Sequence, residues 1–113
     1  TAIGFSALLM AEHSPESKIT TIDRNPEMIG FAKENFARFD SRKQITLLEG
    51  DAVDVLSTLT ETYDFVFMDS AKSKYIIFLP FGFSAQRQSM LILLTVIHIY
   101  NIYMAVKLCV GKK

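Results

Sequence analysis

The stretch Lys18-Ile19-Thr20-Thr21-Ile22-Asp23-Arg24-Asn25-Pro26-Glu27-Met28-Ile29 decides the fold. Its first half is β-branched and reads as a strand that closes on an acid. Its second half is a helix start. Asn25 supplies an N-cap oxygen, Pro26 sits at the first helical position, and Glu27 favours the positive end of the helix dipole. Downstream, Met28, Ile29, Ala32, Phe36 and Phe39 recur at helical spacing, while Lys33, Glu34 and Arg38 can face water. That helix ends near Asp40-Ser41.

The same strand-to-acid pattern recurs twice. Ile45–Glu49 runs into Gly50-Asp51, before a short helix over 52–59. A nearly all-apolar strand over 63–68 runs into Asp69 and reads as central and parallel. Upstream, Phe5–His13 carries helix formers, and Ser14-Pro15 breaks the run. Strands alternating with helices predict an α/β fold of βαβ units. The three strands are expected to lie parallel and adjacent, with Asp23, Asp51 and Asp69 at one sheet edge.

Charge divides the chain. All twelve acids lie between Glu12 and Asp69, and after Pro80 the only charges are Arg87, Lys107, Lys112 and Lys113. Zero net charge gives no global pull toward nucleic acid or membrane. A lone Cys109 excludes an internal disulfide or a cysteine-only metal site, and the first eighty residues read as a cytoplasmic protein. We therefore divide the chain into a domain over 1–80 and an atypical apolar tail over 81–113. The tail reads as frame-shifted or fused, and its uncharged run over 88–106 is expected to be mostly helical. Membrane contact by that run is possible in length but not favoured, because His98, Asn101, Gln88 and Thr95 dilute it. The chain opens on the turn Thr1-Ala2-Ile3-Gly4-Phe5-Ser6 without a strand to feed it, which reads as a fragment.

Ligands of open α/β sheets bind outside the carboxyl ends of the strands, so acids there line one crevice with acceptors. Gly4 lets a ligand approach a helix N-terminus, or simply makes a tight turn. Ser6 offers a hydroxyl to a ligand or to the helix start. Asp23 follows Gly4 by nineteen positions, the placement of an acid that accepts from ribose hydroxyls. We prefer that role to a helix-start charge. Asp51 and Ala52 suit an adenine amino group and a flat ring, although an N-cap for the following helix explains Asp51 as well. Asp69, closing a buried strand, is placed to hold a hard divalent cation. Lys72 is placed to act as a base if cation and burial lower its pKa, against a plain solvated lysine. His13 and His98 are assigned no catalytic role.

On Thr1-Ala2-Ile3-Gly4-Phe5-Ser6, Thr21-Ile22-Asp23-Arg24-Asn25-Pro26, Glu49-Gly50-Asp51-Ala52 and the block from Phe67 to Tyr75, residues 1–80 resemble a known family. It is that of the cation-dependent class I S-adenosylmethionine O-methyltransferases, the catechol O-methyltransferase-like group. Within it the chain looks most like the bacterial tRNA 5-hydroxyuridine methyltransferases. The resemblance implies an incomplete Rossmann-like sheet with helices on its faces. It implies that Gly4 and Ser6 contact the methionine moiety of S-adenosylmethionine, Asp23 the ribose, and Asp51-Ala52 the adenine end. Asp69 would bind Mg2+ beside the donor methyl, and Lys72 would assist deprotonation of the acceptor hydroxyl, on a small molecule or a tRNA. The parent would be a homodimer. The family's first acid and glycine and its later acidic pair have no counterpart here, so this chain is expected to be inactive alone.

Two other classes remain open at this stage. A nucleotide-dependent oxidoreductase would use Gly4 and Asp23 but has no use for Asp69 with Lys72. A non-enzymatic receiver-type domain would use Asp69 as phosphoacceptor, and the apolar tail alternatively suggests a membrane-associated fragment.

Overall fold

The computed structural model describes residues 1–61, 63–69, 86–94 and 102–107. In chain order the elements are α1 (Phe5–His13), β1 (Lys18–Asp23), α2 (Pro26–Phe39), β2 (Ile45–Glu49), α3 (Ala52–Thr58), β3 (Tyr63–Asp69), β4 (Gln86–Leu94) and β5 (Ile102–Lys107). The five strands form one sheet in the order β2-β1-β5-β3-β4.

Alternation along the strands builds a three-layer structure. Side chains of opposite parity leave a strand on opposite faces. Ile19 of β1 and Phe65 and Phe67 of β3 pack with Ala7, Ala11, Met10 and Phe36 of α1 and α2. Ile22 and Val66 take the other face, where they cluster with Tyr63, Ala52 and the apolar residues of α3. Both faces of β1 are therefore covered, and Ile19, Thr21 and Ile22 are all fully buried. On α2, buried Ile29 and Ala32 mark the inward stripe.

The entry to α2 forms as its sequence dictates. The Asn25 side chain accepts from the backbone N–H groups of Glu27 (3.0 Å) and Met28 (3.3 Å), with Pro26 opening the helix. At the opposite end of the sheet, Gln44 is 8% exposed and donates through Nε2 to the carbonyls of Ser14 and Ser17, each at 2.8 Å. Asp40 accepts from the N–H groups of Gln44 and Ile45 at 3.0 and 2.9 Å. These bonds fasten the ends of α1 and α2 to the starts of β1 and β2.

Two expectations are corrected. The three acid-tipped strands are mutually parallel but not adjacent. β1 pairs β2 in parallel, yet β5 lies between β1 and β3, antiparallel to both. Nor is the run over 88–106 mostly helical. Gln86–Leu94 is a strand parallel to β3, and Ile102–Lys107 is the central antiparallel strand. The physical reason is common to both. Inner edges of β1 and β3 carry backbone donors and acceptors that need partners, and an uncharged segment rich in β-branched and aromatic residues meets that need better than it forms a helix. The two described strands of the tail join the sheet edge to edge rather than covering a face. Among the described residues, no helix is long and apolar enough to cross a membrane.

Candidate functional site

The carboxyl ends of β1, β2 and β3 meet at one end of the sheet. Asp23 stands opposite Glu49 in the β1–β2 register. Past the strand ends the two chains stay together, since Gly50 N–H donates to the Asp23 carbonyl at 2.9 Å. Tyr103 of β5 pairs with both Ile22 and Met68. Asp23 and Asp69 are the next residues on either side, two strand spacings or about 10 Å apart. The expected common edge for these acids is therefore present, with β5 inserted between them.

Asp23 is 6% exposed and its carboxylate is already engaged. Oδ1 accepts from Asn25 N–H and Oδ2 from Ala2 N–H, both at 2.9 Å, and the Thr1 amino group lies 3.3 Å from Oδ2. The acid thus organises the entry to α2 and also anchors the 1–6 turn. A carboxylate has about four lone-pair positions, so two backbone bonds leave it further acceptor capacity. The Thr1 hydroxyl donates to the Ile22 carbonyl at 2.9 Å and bonds the Thr21 hydroxyl, which ties the same turn to β1.

Gly4 is the N-cap of α1, with φ 86° and ψ 6°. Its N–H closes a turn onto the Thr1 carbonyl at 2.8 Å. A side chain at this position would meet the Phe36 ring, so the glycine serves both the left-handed turn and a close approach. No side chain caps α1. Ser6 stands half-buried in its first turn, beside N–H groups suited to an acceptor.

Asp51 is the N-cap of α3: its Oδ1 accepts from Val53 N–H at 3.0 Å. Its Oδ2 accepts from Arg24 Nη1 at 3.3 Å. Ala52 is 4% exposed and packs with Ile22, Tyr63 and Val66. Asp69 ends β3 with its backbone opposite Ile102. Lys72 lies outside the described residues. Among the described residues, no three His, Cys, Asp or Glu side chains cluster as a metal centre. The Arg24 bridge to Asp51 went unnoticed in the sequence reading. Its signal was a cation directly after the acid of β1.

The profile of the O-methyltransferase family matches residues 1–97. The chain belongs to the O-methyltransferase family. Among curated relatives of this chain, the O-methyltransferase ankF of Aspergillus thermomutatus is 32% identical over 79 residues, covering 67% of this chain and 33% of the relative. The catechol O-methyltransferase of Niastella koreensis is 27% identical over 97 residues, covering 81% of this chain and 44% of its own length. The chain thus spans less than half of either relative. Among solved structures, the S-adenosylhomocysteine-bound methyltransferase PaMTH1 of Podospora anserina superposes with a TM-score of 0.76 at 27% identity, over 82% of this chain and 42% of that one. A Staphylococcus aureus protein assigned as a caffeoyl-CoA O-methyltransferase gives 0.75 at 32% identity, over 83% and 46%. Family membership selects the methyltransferase over the oxidoreductase and receiver readings. The fold is the Rossmann-like α/β sheet of that family.

Proposed function

We propose that the parent of this chain transfers a methyl group from S-adenosylmethionine to a hydroxyl, and that residues 1–69 form much of its donor site. The observation that carries this reading is the bond from Ala2 N–H to Asp23 Oδ2. It fastens the glycine turn, which would receive the methionine end, to the acid that would receive the ribose. Gly4 and Ser6 then serve the first end, Asp23 the middle, and Asp51 with Ala52 the adenine end.

Asp69, at the same sheet end, would supply a carboxylate to Mg2+, an ion that takes one or two protein carboxylates and fills its octahedron with water and substrate oxygens. When bound, such a cation lowers the pKa of an acceptor hydroxyl. Lys72 would take the proton released from that hydroxyl. The acceptor class is a small-molecule or tRNA hydroxyl, with 5-hydroxyuridine as the specific candidate. The parent is proposed to be a cytoplasmic homodimer. This chain alone is proposed to be inactive in turnover.

The test is calorimetric titration of the protein with S-adenosylhomocysteine, the demethylated donor. Saturable one-to-one binding that Asp23→Ala weakens supports the donor site. Absence of binding, or binding indifferent to Asp23, overturns it.

A further inference from the structure

One acid closes β2 and another follows it two residues on, and each is matched by a cation from the β1–α2 side. Glu49 pairs with Lys33. Asp51 pairs with Arg24, across the gap between the loops that follow β1 and β2. The backbone of that gap is already closed by Gly50 N–H on the Asp23 carbonyl. Arg24 is therefore not needed to hold the loops together. What it adds is the orientation of one carboxylate: Oδ1 of Asp51 is fixed by Val53 N–H, and Oδ2 by the guanidinium.

We propose that Arg24 is a positioning residue for nucleobase selection, holding Asp51 as an acceptor for the 6-amino group of the donor's adenine. This rests on the donor-site reading above. The pair serves selection by fixing the plane of the acceptor carboxylate, which keeps acceptor capacity after two bonds. Both partners are solvent-accessible, at 53% and 38%, so the effect is modest and sensitive to salt.

The experiment compares two ligands on the 113-residue chain by calorimetry. They are S-adenosylhomocysteine and S-inosylhomocysteine, in which a carbonyl replaces the 6-amino group. The wild type is expected to prefer the adenine compound. Arg24→Ala is expected to narrow that preference about two- to fivefold, chiefly by weakening the adenine compound. Arg24→Lys should restore most of it, and raising salt to about 0.5 M should narrow the wild-type preference alone. Equal weakening of both ligands by Arg24→Ala would assign Arg24 a general electrostatic role and overturn the proposal. So would an unchanged or widened ratio, while leaving the donor site standing. Wild-type protein that binds neither ligand removes the donor-site reading, and the role of Arg24 with it.

Discussion

Phe36 of α2 packs against Gly4, so close that a Cβ on Gly4 would stand 2.5 Å from the Phe36 Cε1. This contact joins the turn at the start of α1 to the last turn of α2. It sets how tightly the 1–6 turn sits over the end of β1. Gly4→Ala meets two penalties, the left-handed backbone (φ 86°) and the ring. We expect a loss of about 2–4 kcal/mol in denaturant unfolding. Adding Phe36→Leu should recover part of that loss, giving a coupling of about 0.5–3 kcal/mol in a double-mutant cycle. Strictly additive losses would show that the ring does not set the turn.

Gln44 carries the opposite end of the sheet. Its buried amide satisfies the Ser14 and Ser17 carbonyls, and its Oε1 accepts from Arg42 Nε at 2.7 Å. Gln44→Ala removes the donor to the buried Ser17 carbonyl and one of the two to the Ser14 carbonyl, which keeps Ser17 N–H at 3.0 Å, and we expect a cost of about 1–3 kcal/mol in stability with ligand affinity unchanged. Urea titration and calorimetry on the same variant separate the two effects. Lost affinity with unchanged stability would reverse the assignment.

How much of this was legible in the sequence depends on where the deciding interaction lies. β1 and α2 could be read because strand, cap and first turn are consecutive in Thr21 to Glu27, and the cap bonds are local. Asp23 and Asp51 could be located for the same reason. The β4 and β5 segments could not, because an uncharged apolar run does not declare its own period. Their state is decided by pairing with Thr20 or Val66, far away in the chain. The Gly4 approach to Phe36 and the Arg24 bridge to Asp51 were hidden in the same way, since each joins separate elements.

β5 gives a direct test of that long-range pairing. Ala105 is opposite Thr20 on one side and Val66 on the other. Ala105→Pro removes a ladder donor from a central strand, where proline is scarcely tolerated. Hydrogen exchange should then lose amide protection in β1 and β3 before α2. Unchanged protection in both strands would mean that β5 does not hold them together.

Asp23→Asn separates the structural and ligand roles of that acid. Asparagine offers one acceptor oxygen where two backbone N–H groups need partners, Asn25 and Ala2. We expect a stability loss of about 1–3 kcal/mol. On the donor-site reading, S-adenosylhomocysteine affinity should also fall by about 1.5–3 kcal/mol, as charge-assisted ribose bonds are lost. Affinity that survives while stability falls would leave Asp23 a turn anchor and nothing more.

On the proposed mechanism, Asp69 decides the chemistry rather than the binding. In a version of the protein extended to the length of its relatives, methyl transfer to a hydroxyl should require a divalent cation. There Asp69→Ala should lower turnover at least about a hundredfold, because it removes a metal ligand worth several kcal/mol of charge stabilisation. Loss of S-adenosylhomocysteine affinity should be the smaller effect, in contrast to Asp23→Asn. The 113-residue chain should show little turnover in the same assay. A methyl-transfer assay with and without chelator makes the distinction. Turnover undiminished by chelation would remove the cation from the mechanism while leaving the methyltransferase fold and its donor site untouched.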